Sequence, residues 1–182
     1  LRMTGNGMKV LATDLDRTLL PNGRWEADPG AIGRFNELTS GDDLTVVYVT
    51  GRNLDLTERA IAEFGVRYPD YLCGDVGTTV RQRQGDAWVF DEGWVDRVHA
   101  RSPRWSAKEV REALEGVDGI REQEAVHLNR FKQSYYADHG RSEAILEEVE
   151  ARVGGRFDEV VVYSFDSKSG DGLIDVLPNS AT

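Results

Sequence analysis

The stretch Val10-Leu11-Ala12-Thr13-Asp14-Leu15-Asp16-Arg17-Thr18 passes from an apolar run to two carboxylates spaced two residues apart, with Leu19-Leu20 behind them. Val10 to Ala12 reads as a short buried strand, and alternation along extended backbone puts both acids on one side of the chain. Two carboxylates so close repel each other, and leaving water costs each of them free energy. A strand end that carries both has something to hold there, and a divalent cation such as Mg²⁺, which takes hard oxygen ligands, suits it. Asp14 can then ligate metal and attack phosphorus. Asp16 can protonate a leaving oxygen and later deprotonate an attacking water. Asp-x-Asp also occurs in turns and helix caps; its place directly after an apolar strand, with Thr18 following, favours the chemical reading.

Outward from this stretch, Asp28-Pro29 reads as an N-cap followed by proline at the first helical position. Ala31, Ile32, Phe35 and Leu38 then repeat at helical spacing, and Gly41 stops the helix. Leu44 to Val49 is nearly all apolar and β-branched, the pattern of a parallel strand covered on both faces. It ends in Thr50-Gly51-Arg52. A second helix carries Leu54, Ile61 and Phe64 on its apolar face and stops at Gly65, and Tyr71 to Cys73 is a further short strand. This alternation predicts an α/β sheet of parallel strands. In such sheets ligands sit outside the carboxyl ends of the strands, where Asp14, Asp16 and Thr50 all fall. A threonine hydroxyl and backbone N–H groups at a helix start suit an anion, and Gly51 lets backbone approach it closely. The plainer alternative for Thr50 is a helix N-cap, with Arg52 a surface residue.

The pattern then changes. Thr78 to Gln82 and Ala87 to Phe90 read as a hairpin turning near Gly85, Lys108 to Leu114 as a helix, and Phe131 to Ala137 as a strand. Ser142 to Val153 is a helix with Ile145, Leu146 and Val149 on one face and Gly154 as its stop. Glu159 to Phe165 and Leu173 to Val176 are strands joined by the polar turn Asp166 to Gly172. This half predicts an α+β unit with an antiparallel sheet. The expected division is residues 1–80, residues 81–177 and a return to the first unit over 178–182, with Pro178 as the hinge.

The net charge of −10 argues against nucleic acid or an anionic membrane as partner. It also means that a phosphorylated ligand needs a local positive centre. The single cysteine, Cys73, excludes an internal disulfide and a cysteine-built zinc site and suits a reducing cytoplasm. No run approaches the roughly 18 apolar residues of a membrane span, and Leu1 to Lys9 lacks the apolar core of a signal peptide. His99, His127 and His139 match no common metal spacing. Trp25, Trp88, Trp94 and Trp105 are scattered as packing residues, and Glu143 to Glu150 reads as a solvated helix face.

A strand ending in Asp14-Leu15-Asp16-Arg17-Thr18-Leu19-Leu20, followed by a strand ending in Val49-Thr50-Gly51-Arg52, resembles the haloacid dehalogenase (HAD) phosphohydrolase superfamily. Pro69-Asp70-Tyr71, Val76-Gly77-Thr78, Phe131-Lys132-Gln133-Ser134-Tyr135 and Ile174-Asp175-Val176-Leu177-Pro178 narrow the resemblance to sucrose-phosphate phosphatase-like members with an α+β cap. The resemblance implies a Rossmann-like parallel-sheet core with an inserted α+β cap of the C2 type. It implies a Mg²⁺-dependent phosphoric monoester hydrolase acting on a small sugar phosphate, such as sucrose 6-phosphate or a related glycosyl phosphate. Asp14 is then the nucleophile and Asp16 the acid/base. Mg²⁺ is held by the Asp14 side chain and the Asp16 backbone carbonyl, and Thr50 and Gly51 hold the phosphoryl group. Arg52, Gly77, Thr78, Asn129 and Lys132 are the candidate substrate contacts. Lys132 has a solvated strand position as its alternative, and Gly77-Thr78 a simple turn.

These phosphatases also use a lysine after the cap and a later Gly-Asp-x-x-Asn-Asp type loop. The sequence reaches Pro178-Asn179-Ser180-Ala181-Thr182 about where that lysine comes next. The expectation is therefore that the rest of the core lies on further polypeptide, and that these 182 residues alone bind metal poorly and turn over weakly or not at all. A non-catalytic sugar-phosphate or protein-binding module and a phosphomutase are the competing functions. Tight binding without turnover would mark the first, and phosphate transfer between sugar positions the second.

Overall fold

The computed structural model describes residues 9–21, 28–41, 43–167 and 169–181. The chain divides into two compact units, Leu1–Asp91 and Glu92–Thr182. Trp25 lies outside the described residues.

In the first unit the elements run β1 (Lys9–Thr13), α1 (Ala31–Leu38), β2 (Leu44–Val49), α2 (Leu54–Phe64), β3 (Tyr71–Gly74), β4 (Thr79–Gln84) and β5 (Ala87–Phe90), and the sheet keeps that strand order. β1, β2 and β3 are parallel, and β4 and β5 extend them antiparallel. Strands added one after another in the same direction through right-handed crossovers put both helices on one face of the sheet. That face is the core: Val46, Tyr48 and Leu72 cluster with Ala60 and Ile61, and Ile32, Phe35 and Phe64 pack against them. The opposite face stays open among the described residues, with Val10 53% and Val49 45% exposed. The expectations of a buried β1 and of a β2 covered on both faces are corrected accordingly. Apolar β-branched residues mark both sides of a strand, but the helices reach only one.

Helix starts follow their side chains. Asn53 caps α2 by accepting from Leu56 N–H (2.9 Å), and Gly65 closes it at φ 67°, a left-handed turn that glycine adopts at little cost. α1 starts two residues later than expected. Its N-cap is Gly30, and Asp28 instead accepts from the Gly30 N–H at 2.9 Å, a turn that precedes the helix. The β4–β5 hairpin, turning at Gly85 (φ 62°) as expected, pairs with β3 rather than opening the second sheet. For this reason the boundary between the compact units falls after Asp91, where residues 80 and 81 were expected, and residues 178–182 belong to the second unit.

In the second unit follow α3 (Glu92–Arg101), α4 (Ala107–Leu114), β6 (Ile120–Glu122), β7 (Gln133–Ala137), α5 (Ser142–Val153), β8 (Glu159–Phe165) and β9 (Gly172–Pro178). The sheet order is β6-β7-β9-β8, antiparallel throughout. Tyr135, Ile174 and Val176 are buried, while Tyr136, Leu173 and Asp175 between them are only half-buried. Burial thus alternates through the middle of the sheet, while Ser134 and Leu177 on the less covered face are also buried. α3 and β6 were not legible in the sequence. α3 carries a sparse apolar stripe in which only Val95 and Val98 are buried, and β6 has three residues of which two are exposed. Trp105 packs and donates its indole N–H to the Arg130 carbonyl at 2.7 Å.

Candidate active site

The Asp14–Asp16 segment is placed by what lies between and behind it. Leu15 and Leu20 are 0% and 1% exposed within the first core. The amides of Leu19 and Leu20 both donate to the Leu15 carbonyl, at 3.0 and 2.7 Å. With Leu15 driven inward, Asp14 is left exposed and Asp16 partly exposed. Thr18 Oγ1 donates to Asp14 Oδ2 at 3.1 Å. Arg17 closes the bend at φ 62°, a left-handed conformation that costs a non-glycine residue on the order of 1 kcal/mol and recurs at functional sites.

Thr50 and Arg52 leave the end of β2. Thr50 is 4% exposed, its Oγ1 accepts from the Arg52 N–H (3.2 Å), and its own N–H donates to Cys73 (2.9 Å). Thr50 is thus a turn former and not the cap of α2, a part played by Asn53. The Arg52 side chain turns back onto Asp16. Nε lies 3.1 and 2.9 Å from its two carboxylate oxygens, Nη2 lies 2.7 Å from Oδ1, and Nη1 donates to the Leu56 carbonyl (3.2 Å). This fork-to-carboxylate contact is the strong, orienting kind of ion pair. The Asp16 carboxylate raises the guanidinium's pKa.

Gly77 and Thr78 lie in the turn after β3, which is tied to the same place. Asp75 N–H donates to the Arg52 carbonyl (2.9 Å) and Val76 N–H to the Thr50 carbonyl (3.3 Å). Asp75, Val76 and Gly77 all have positive φ (53°, 61° and 86°). The buried Asp75 accepts from Thr79 Oγ1 at 2.9 Å, and Thr78 Oγ1 donates to the Asp75 carbonyl at 2.7 Å. Sequence reasoning missed Asp75. Gly77 was its one signal, since a β-branched Val76 gives no hint of a left-handed backbone. Within the protein the tightest backbone packing around this loop is at Gly74. A Cβ there would sit 3.0 Å from the Arg52 carbonyl oxygen, whereas one at Gly51 would meet nothing nearer than Val76 Cγ2 at 4.0 Å.

The remaining two candidates lie in the second unit. Asn129 and Lys132 close a tight turn through mutual backbone hydrogen bonds of 3.1 Å, and Asn129 Oδ1 accepts from Phe131 N–H at 2.8 Å. Lys132 is 6% exposed, so the solvated alternative is excluded. Its ammonium lies 3.7 Å from Asp175 Oδ1, which also accepts from the buried Ser134 hydroxyl. Asp175, paired with Ser134 across β7 and β9, was quoted in a motif but not singled out.

For a divalent cation the first unit offers the carboxylates of Asp14 and Asp16, and no group of three metal-capable side chains occurs among the described residues. Mg²⁺ is commonly held by one or two carboxylates with waters and substrate phosphate, so the donor set fits in kind.

Comparison with known proteins bears on the family of the chain. The family model of sucrose-6F-phosphate phosphohydrolase matches residues 8–182. A Nitrosococcus oceani protein described as a HAD-like hydrolase is 32% identical over 174 residues, which is 94% of this chain and 47% of the relative. A mannosylfructose-phosphate phosphatase of Agrobacterium fabrum is 25% identical over 181 residues, 96% of this chain and 65% of the relative. The structure of a Synechocystis sucrose-phosphatase in complex with sucrose and phosphate aligns with TM-score 0.72 and 22% identity, over 94% of this chain and 64% of that one. The chain thus spans about half to two thirds of these relatives' length. Matched along nearly its whole length, the chain belongs to the sucrose-6F-phosphate phosphohydrolase family of the HAD superfamily.

Proposed function

We propose that this chain carries the nucleophile and acid/base of a phosphatase acting on a small sugar phosphate. The observation that supports it most is the pair Asp14 and Asp16 flanking the buried Leu15 at the carboxyl end of β1, beside Thr50 and Arg52. In the first step an Asp14 carboxylate oxygen bonds to phosphorus while the ester P–O bond breaks, and Asp16 gives a proton to the departing sugar oxygen. In the second step Asp16 takes a proton from water, which attacks phospho-Asp14 and releases phosphate. Arg52, forked onto the Asp16 carboxylate, orients the group that moves the proton in both steps. The Thr50 hydroxyl and Gly51 backbone serve the phosphoryl oxygens. Asp14 and the Asp16 carbonyl would hold Mg²⁺, which would supply charge neutralisation at the phosphoryl group.

The sugar class rests on the relatives, which act on mannosylfructose phosphate or bind sucrose with phosphate. Asn129 and Lys132, with Asp175, are the proposed sugar contacts. No helix among the described residues is long and apolar enough to cross a membrane, and the lone Cys73 supports a reducing compartment. The test is Asp14→Asn in the complete protein, with release of phosphate followed from an aryl phosphate and from sucrose 6-phosphate in Mg²⁺. Turnover lost on both supports the reading, and unchanged turnover removes Asp14 as nucleophile. A preference for the aryl ester over every sugar phosphate removes the sugar class.

A further inference from the structure

The second unit holds a cleft of about 430 Å³ between the last turn of α4, the loop after it and strands β6 and β7. Its apolar walls are Leu114, Val117, Ile120 and the ring of Tyr135. None of the residues proposed for phosphoryl or sugar chemistry lines it. Tyr135 is 4% exposed, and its hydroxyl is buried with no hydrogen-bond partner among the described residues. An orphaned buried hydroxyl forfeits on the order of 1–3 kcal/mol, so natural structures rarely leave one without a partner.

The surroundings say what that partner can be. Glu122 pairs with Tyr135 across β6 and β7, and Arg111 of α4 binds Glu122 at 2.8 Å. Burial first, then Glu122, pushes the Tyr135 hydroxyl up to about 12, with Arg111 opposing. The group therefore stays protonated and offers a donor. Arg111 and Glu122, which line the cleft, are 55% and 39% exposed. Glu112 and Glu115 also line the cleft. Three carboxylates against one guanidinium, itself already paired, repel anions, so phosphates and carboxylic acids are poor occupants. The volume lies in the range of small-molecule sites.

We propose that this cleft is an accessory binding site for a small uncharged molecule with an apolar body and one hydrogen-bond-accepting oxygen, of the size and kind of a phenol. The body lies against Leu114, Val117 and Ile120, and the oxygen accepts from Tyr135. The site is independent of the phosphatase reading.

The test is titration of the protein with phenol and, separately, with benzoate, followed by amide NMR shifts. Saturable shifts centred on residues 114–122 with phenol, and none there with benzoate, are expected. Tyr135→Phe keeps the ring and should weaken phenol binding about fivefold, the worth of one hydrogen bond. Ile120→Trp fills the cleft and should abolish binding. In the unaltered protein the Tyr135 ring carbon bearing the hydroxyl should shift on saturation, a readout that does not require either variant to fold. Equal binding of benzoate, an unchanged affinity in Tyr135→Phe, an unmoved Tyr135 resonance, or shifts elsewhere would each overturn the proposal.

Discussion

Single residues decide the geometry around the paired carboxylates. Leu15 holds the acids apart from the core by occupying it, so Leu15→Ala should cost about 2–5 kcal/mol of stability by urea unfolding and blunt any activity by loosening both carboxylates. Arg52 grips Asp16 with a planar fork. Lysine keeps the charge but not the fork. Arg52→Lys should therefore lower kcat by up to about 10²-fold while changing KM less, read from steady-state kinetics of the complete protein. A kcat left intact would make Arg52 a substrate contact or a bystander. Asp14-Leu15-Asp16 and Thr50-Gly51-Arg52 were both legible as motifs. The closure of one upon the other was not, because the bond from Arg52 to Asp16 joins residues 36 apart in sequence.

Elements were legible where periodicity and caps agree. β2, α2, α5 and β8 sit at their expected positions, since each is a long, strongly patterned run with a stop such as Gly65 or Gly154. Asn53 starts α2 by a side-chain cap, and Asn53→Ala should cost about 1 kcal/mol in thermal or urea unfolding. The same substitution should disturb the site little, because Thr50 and Arg52 are held by the separate turn above it; a large loss of ligand affinity would instead tie the cap to the site. α3 and β6 escaped notice because a sparse apolar stripe and a three-residue edge give weak signals.

Over the whole molecule, exposed acids with local partners set the response to pH. Asp158 is held below its ordinary pKa first by the Arg104 side chain and then by the Arg104 backbone N–H. Asp28 is lowered first by the Gly30 N–H, and Asp43 first by Lys9. A carboxyl with a depressed folded-state pKa stabilises above its unfolded value, and that stability is lost as pH falls through the folded one. The melting temperature should therefore be flat near neutrality and fall below about pH 4, and Asp158→Asn should reduce the fall. An unchanged profile in that variant would show the pair to be solvated and inert. The open face of the first sheet, with Val10 and Val49 exposed, is a second property of the whole chain. As acid removes the negative charge that keeps copies apart, this face should promote association, measurable by light scattering and reduced in a Val10→Thr, Val49→Thr variant.

By itself the sequence determined the local matters: where the strongly patterned strands and helices run, that parallel strands alternate with helices before an antiparallel α+β half begins, and that two acids follow the first strand. These are set by side-chain period, caps and breakers within a few residues. Only the tertiary structure decided which sheet the β4–β5 hairpin joins, which face of β2 is covered, that Asp75 and the strained turn back the Thr50–Arg52 loop, and that Arg52 holds Asp16. Each of these depends on strand order and crossover handedness, which bring distant residues together. The opening stretch thus named the reacting groups, and the fold supplied the groups that orient them.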